Sequence, residues 1–183
     1  MLGILENTNK QTFEQEYSLF ELDEFILSRI FELDQIRRKS IEEHVYHNFY
    51  KALFEFCSVD LSAFYFDISK DVIYCDQVDS IERLARLKTL YILYDILTFW
   101  FAPVLSHTME EVWSFFKTEN KESVHLRVKN EVKDIWENSK LITKWNKIKK
   151  IRRIINSALE EARNQKKIGS SLETEVYVET ESD

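Results

Sequence analysis

The sequence predicts an all-α fold, a bundle of about five helices with a truncated strand at its C-terminus. Only two glycines, Gly3 and Gly169, and a single proline, Pro103, occur in 183 residues, too few for the turns of β-rich and α/β chains. Apolar residues instead recur at three-to-four spacing over long stretches, the period of a buried helical face. At this length, 44% hydrophobic and 14% aromatic residues supply a full core.

Leu22, Phe25, Ile26, Ile30, Leu33 and Ile36 give a first helix, from about Leu19 to Lys39, one apolar face. Phe49, Leu53, Phe56, Asp60, Phe64 and Asp67 continue a second register that ends near Lys70. Asp79 followed by Glu82 has capping-box spacing, in which the first carboxylate accepts an orphan backbone N–H and the second reaches back. A third helix is expected there, apolar on more than one side through Leu84, Leu87, Leu90, Tyr91, Tyr94, Leu97 and Phe101, until Pro103 blocks it.

Thr108 with Glu111 caps a short fourth helix through Phe116. From Lys117 to Asn138 the chain is a polar connection with scattered Val124, Leu126, Val128 and Trp136. Leu141, Trp145, Ile148, Ile151, Ile155, Leu159 and Ala162 then sustain a fifth helix that ends at Gly169 as its C-terminal cap. Thr174–Glu179 alternates like a strand, and a lone strand is not a stable ending. The expected organisation is a bundle over residues 1–169, with 170–183 the start of a truncated C-terminal α/β appendage.

Scarce glycine also excludes a phosphate-cradling loop, which needs several close glycines where backbone approaches a nucleotide. Cys57 and Cys75 stand far apart, matching neither a zinc cluster nor a disulfide framework, so both read as reduced, structural thiols. The first twenty residues, with Glu6, Lys10, Glu14 and Glu16, lack the pattern of a secretory signal. The apolar stretch from Leu90 to Leu105 is shorter than a bilayer span and is interrupted by Asp95 and Pro103. A soluble, cytoplasmic protein that contacts no membrane is expected.

Charge is segregated. Lys140 to Lys167 holds ten of the 25 basic residues and two of the 32 acidic ones, a local balance of +8 against −15 elsewhere. Lys140, Lys144, Lys147, Lys149, Lys150, Arg152, Arg153, Arg163, Lys166 and Lys167 alternate with the apolar stripe. Such asymmetry suits a polyanion partner. It suits equally well a solvated helix face paired with the acidic remainder, and the overall charge of −7 argues against indiscriminate nucleic-acid binding.

Other constellations are weaker. His44 and His47, three apart beside Glu43, could share a helix face for a metal, but no third ligand is identifiable. His107 and His125 read as structural or exposed. Ser58 beside Cys57 lacks a local base and a glycine elbow. Asp60, Asp67 and Asp71 fall among Phe56, Phe64, Tyr65 and Phe66 in a mixed core and surface pattern; paired carboxylates alone do not make an acid/base site. Trp100, Trp113, Trp136 and Trp145 could stack on splayed bases, although bundle tryptophans are mostly core, and Trp113 and Trp145 are expected in the interior.

Several runs carry a family resemblance. The run Phe56-Cys57-Ser58 through Tyr65, Asp67, Ile68, Lys70, Asp71 and Tyr74 resembles the isoleucyl-tRNA synthetase pattern of an FCS-type helix entering a Y-x-D-I-x-K-D-x-x-Y segment. Ala102-Pro103 with Thr108, Glu110, Glu111, Val112 and Trp113 matches a signature shared by the isoleucine, valine and leucine group. Lys166-Lys167-Ile168-Gly169-Ser170-Ser171-Leu172-Glu173 is similar to the bacterial-type turn after the last helix, and Glu21-Leu22-Asp23-Glu24-Phe25 to the family's L-D-R-W helix, with Glu24 and Phe25 in place of Arg and Trp.

The resemblance implies the anticodon-binding bundle of a bacterial-type class I synthetase; the segregated charge then puts Lys149, Lys150, Arg152, Arg153, Lys166 and Lys167 forward as the residues that hold tRNA phosphates. The resemblance implies no catalytic residue, metal or cofactor in this chain, because the adenylate-forming and editing domains precede this region and no K-M-S-K-type loop is present. The intact enzyme would join isoleucine to its tRNA with ATP and Mg, hydrolyse mischarged valine, and carry zinc elsewhere. Expected partners are isoleucine tRNA and the remaining synthetase domains, with the protein a monomer. Met1-Leu2-Gly3-Ile4-Leu5 resembles the tail of a preceding helix. A valyl or leucyl relative and a helical protein-interaction module are the alternatives.

Overall fold

The first helix, α1 (Glu21–Glu42), starts at Phe20, whose carbonyl accepts from the backbone of Asp23 at 2.8 Å and Glu24 at 3.0 Å. No side chain caps it, but Glu21, Asp23 and Glu24 in the first turn complement the positive end of the helix dipole. The computed structural model describes residues 3, 5, 18–115, 122–128, 132–170 and 173–179. Gly3 and Leu5 are helical; the rest of the expected N-terminal helix tail lies outside the described residues.

Helix α1 buries Leu22, Phe25, Ile26, Leu27, Ile30 and Leu33, whereas Ile36 at its far end is 39% exposed. His44 stops the helix by adopting φ 57°. Val45 N–H then reaches back to the Ser40 carbonyl at 2.9 Å and His44 N–H to Ile41 at 3.2 Å, the paired bonds of a Schellman end.

The second expected helix is longer and less regular than its apolar spacing implies. Helix α2 (Tyr46–Glu55), a π-helical stretch (Phe56–Phe66) and α3 (Asp67–Cys75) run on without a break. Phe56, Asp60, Phe64, Ser69 and Ile73 are buried along it, at spacings of four or five. On a 3.6-residue helix each step of four drifts by about 40°; the wider π turn keeps Phe56, Asp60 and Phe64 on one side.

Helix α4 (Ile81–Phe101) is capped by Ser80 rather than Asp79: the Ser80 hydroxyl accepts from Arg83 N–H at 3.5 Å. It buries Ala85, Leu87, Leu90, Leu93, Ile96 and Trp100 on several sides, as a central helix must. After Pro103, helix α5 (Ser106–Phe115) begins two residues before Thr108, so Thr108 is inside the helix and not its cap. Tyr94 donates to the carbonyl of Val112 at 3.1 Å and stacks on Trp113 with ring centroids 6.2 Å apart. Glu110 accepts from Ser123 Oγ at 2.8 Å and Val124 N–H at 3.0 Å, tying the 3-10 turn Val124–Leu126 to α5.

A further 3-10 turn, Asp134–Trp136, precedes α6 (Ser139–Asn164). Counting residues 46–75 as one helix, five helices carry the described residues after residue 18, and the all-α expectation holds. The expected strand over Thr174–Glu179 is absent: the described residues contain no strand, because an edge forms only against a partner. The chain divides into two compact units, Met1–Asn138 and Ser139–Asp183.

Inside the first unit one charged contact is buried. Asp23 Oδ1 accepts from the Tyr65 hydroxyl and from Arg86 Nη1, both at 2.6 Å, and the three residues are 0–5% exposed. One carboxylate thereby joins α1, the π-helical stretch and α4. Phe25, which stands where the family pattern has Trp, packs edge-on to Phe64 at 6.2 Å.

Candidate nucleic-acid interface

The cationic segment lies on α6, in the second unit. Trp145, Lys149, Arg152, Ile155, Leu159 and Ala162 follow each other at three or four residues and are all half-buried. Ile148, Ile151 and Ile154 are 37%, 38% and 69% exposed. The expected division into an apolar side and a cationic side is therefore corrected: Lys149 and Arg152 share the half-buried stripe, and isoleucines stand outside it. Long Lys and Arg stems can cover apolar surface while their heads reach polar partners, and neither Lys149 nor Arg152 is a free group.

Lys140, Lys144, Lys147, Lys150 and Arg153 are exposed. Lys147, Lys150 and Arg153 recur every third residue, an axial rise of about 4.5 Å per step, so they form a row of cations along one edge of the helix. Arg163 pairs with Glu160 one turn back.

The end of α6 places the last two predicted contacts. Lys166, not Gly169, is the left-handed residue, at φ 55°; its N–H bonds to Arg163 at 2.9 Å and Lys167 N–H to Ala162 at 3.0 Å, again the Schellman pattern. Both lysines are exposed, at the helix end where cations are favoured by the dipole. Beyond them, Glu173 accepts from the backbone N–H of Gly169 at 3.1 Å and Ser170 at 3.4 Å. This bond pair explains why the turn carries a glutamate; Ser171 and Leu172 lie outside the described residues.

The weaker sequence candidates resolve into structural roles. His44 terminates α1, and among the described residues no three His, Cys, Asp or Glu side chains gather as a metal site. Ser58 Oγ donates to the Phe54 carbonyl at 2.8 Å. Asp60 is buried beside Arg29 Nη2 at 3.3 Å, and Asp67 pairs with Lys70 at 3.0 Å. His125 Nε2 lies 3.3 Å from the Ser106 carbonyl. Burial pushes the Cys57 thiol up to about 11, while Cys75 is exposed.

The expected interior positions of Trp113 and Trp145 are corrected as well. Both are half-buried; for Trp113 the reason is that the ten-residue α5 lies on the surface and buries no residue fully. Trp113 instead stacks on Tyr94, and the Arg127 guanidinium sits 4.5 Å from its centroid. Trp100 is the core tryptophan, 2% exposed. No helix among the described residues is long and apolar enough to cross a membrane.

A helical bundle tied together by the buried Asp23–Tyr65–Arg86 contact, followed by a basic helix, defines a class. The chain belongs to the family described as the anticodon-binding domain of tRNA ligase, which matches residues 23–178. Its relatives include isoleucine–tRNA ligases. That of Agrobacterium fabrum is 42% identical over 94% of this chain, that of Mesorhizobium japonicum 42% over 94%, and that of Pelagibacter ubique 40% over 86%. The chain spans only 17–18% of the length of these relatives.

Proposed function

We propose that this chain seats the anticodon stem-loop of isoleucine tRNA for an isoleucine–tRNA ligase, whose ATP- and Mg-dependent aminoacylation and whose editing belong to domains outside the 183 residues. The similarity to isoleucine–tRNA ligases over 94% of the chain carries this reading. Lys149, Lys150, Arg152, Arg153, Lys166 and Lys167 hold phosphates, which fixes the RNA in register without reading sequence. The ligase works as a cytoplasmic monomer and keeps its zinc in another segment.

Fluorescence anisotropy of labelled isoleucine tRNA tests it. The chain binds this tRNA more tightly than a methionine tRNA transcript, and added salt weakens both complexes. Equal affinity for the two would contradict an anticodon-directed role, and formation of isoleucyl-adenylate by the chain alone would contradict its non-catalytic part. The exposure of Ile148, Ile151 and Ile154 favours a second role for α6, contact with the remaining domains of the ligase.

A further inference from the structure

A cavity of about 330 Å³ opens in the first unit where the end of α1, the start of α2, the end of α4 and the turn at Val124–Leu126 meet. An apolar cavity of ~150 Å³ holds one benzene ring, so this one has room for two fused rings. Its walls are apolar: Phe49, Trp100, Ala102 and Val124 line it, none of them more than 5% exposed. The Phe49 and Trp100 rings meet edge to face at 5.5 Å. Ile41 and Tyr46, which also line it, are 46% and 50% exposed and form its open side.

Two observations fix the chemistry of an occupant. Ser40 lines the cavity and is 4% exposed. Its hydroxyl has no hydrogen-bond partner among the described residues, and it is not sealed inside the protein as the unpartnered hydroxyl of Ser69 is. A nearly buried polar group is costly to leave unpaired, and a ligand hydroxyl would pair it. Charge, by contrast, is already balanced. Arg37 and Arg127 line the cavity, but Asp34 at 2.7 Å and Asp95 at 2.8 Å offset them. Arg38, which shares Asp34, is largely exposed and does not line the cavity. An anion entering here would lose its hydration without an unpaired cation to receive it.

We infer that this cavity is a small-molecule site for a neutral aromatic ligand of up to two fused rings carrying one hydroxyl, with the rings against Phe49 and Trp100 and the hydroxyl on Ser40 Oγ. Apolar walls with a few placed polar groups are the usual make-up of such sites. The site draws on none of the cations of α6 and needs no RNA.

2-Naphthol is the probe, with 2-methylnaphthalene as its hydroxyl-free and 2-naphthoate as its anionic counterpart, each titrated at neutral pH into the nitrogen-15-labelled 183-residue chain and followed by its amide NMR signals. 2-Naphthol binds saturably and shifts the signals of Ser40, Phe49, Ala102 and Val124, while 2-naphthoate binds at least about tenfold more weakly. Ser40→Ala weakens 2-naphthol roughly three- to tenfold, the loss of one hydrogen bond, and leaves 2-methylnaphthalene unchanged. Ile41→Trp, at an exposed position, fills the open side and weakens both. Added isoleucine tRNA leaves the affinity for 2-naphthol unchanged. Absence of a saturable shift at these residues, equal binding of 2-naphthol and 2-naphthoate, or equal losses of the two neutral probes in Ser40→Ala overturns the site. Displacement of 2-naphthol by the tRNA also overturns it and assigns the cavity to RNA.

Discussion

Tyr65 donates its hydroxyl to Asp23 across 42 positions of sequence, at 2.6 Å and without solvent exposure at either residue. Arg86 completes the contact from α4. Removing one partner of a buried charged pair strands the other charge, at a cost of about 3–5 kcal/mol. Asp23→Ala should therefore be among the most destabilising single changes in the first unit, with Glu82, 3.5 Å from Arg86 and partly exposed, a poor substitute. Tyr65→Phe loses one hydrogen bond to a charged group, about 1.5–3 kcal/mol. Urea unfolding of the two variants checks the order; a smaller loss for Asp23→Ala than for Tyr65→Phe would contradict it.

The same tyrosine makes stability depend on alkaline pH. Burial and then the neighbouring Asp23 carboxylate hold the Tyr65 hydroxyl well above its ordinary value of 10.0; burial and Asp95 raise Tyr94 likewise. A folded-state value above the unfolded one means the unfolded chain releases protons first, so stability is intact below about pH 10 and falls as pH rises beyond it. Thermal melts between pH 8 and 11.5 should show this decline, shallower in Tyr65→Phe. An equal decline in both proteins would remove Tyr65 as the source.

Two helices end on a residue whose side chain opposes its backbone. His44 and Lys166 hold φ 57° and 55°, a region that costs a residue with Cβ about 1–2 kcal/mol, partly offset in glycine by its greater loss of freedom on folding. His44→Gly and Lys166→Gly should each raise stability by up to about 1 kcal/mol. Lys166→Gly should at the same time weaken tRNA binding, whereas His44→Gly should not. Denaturant midpoints measured alongside tRNA affinity separate the two effects, and a loss of stability in both variants would refute the cap geometry.

The thiols should differ in reactivity. Cys75 is exposed, and the Cys57 thiol is raised by burial to about 11, leaving little thiolate at neutral pH. Iodoacetamide followed by peptide mass analysis should find Cys75 modified first. Prior modification of Cys57 would contradict the burial of the π-helical stretch.

Much of this fold was legible because helix existence depends on apolar period, and the period survives in α1, α4 and α6. The ends were less legible. Asp79 and Gly169 have the residue types of caps, but Ser80 and Lys166 occupy the capping geometry, since which residue closes a turn depends on where the chain goes next. The π-helical stretch had a signal in the four-residue steps Phe56, Asp60 and Phe64, readable only against the burial that rewards it. For the candidate site, sequence located the charge on α6, but not the half-burial of Lys149 and Arg152. It gave no sign of the cavity beside Trp100, whose walls come from four separated segments.

Phosphate contact by α6 is the central claim, and the salt dependence of tRNA affinity tests it most directly. A plot of log affinity against log salt should fall steeply for the wild type, by about 0.7 to 0.9 per neutralised phosphate. Reversing the charges of Lys149, Lys150, Arg152 and Arg153 together should lower affinity and flatten that slope by several of these increments. An unchanged slope and affinity after the reversal would contradict the account.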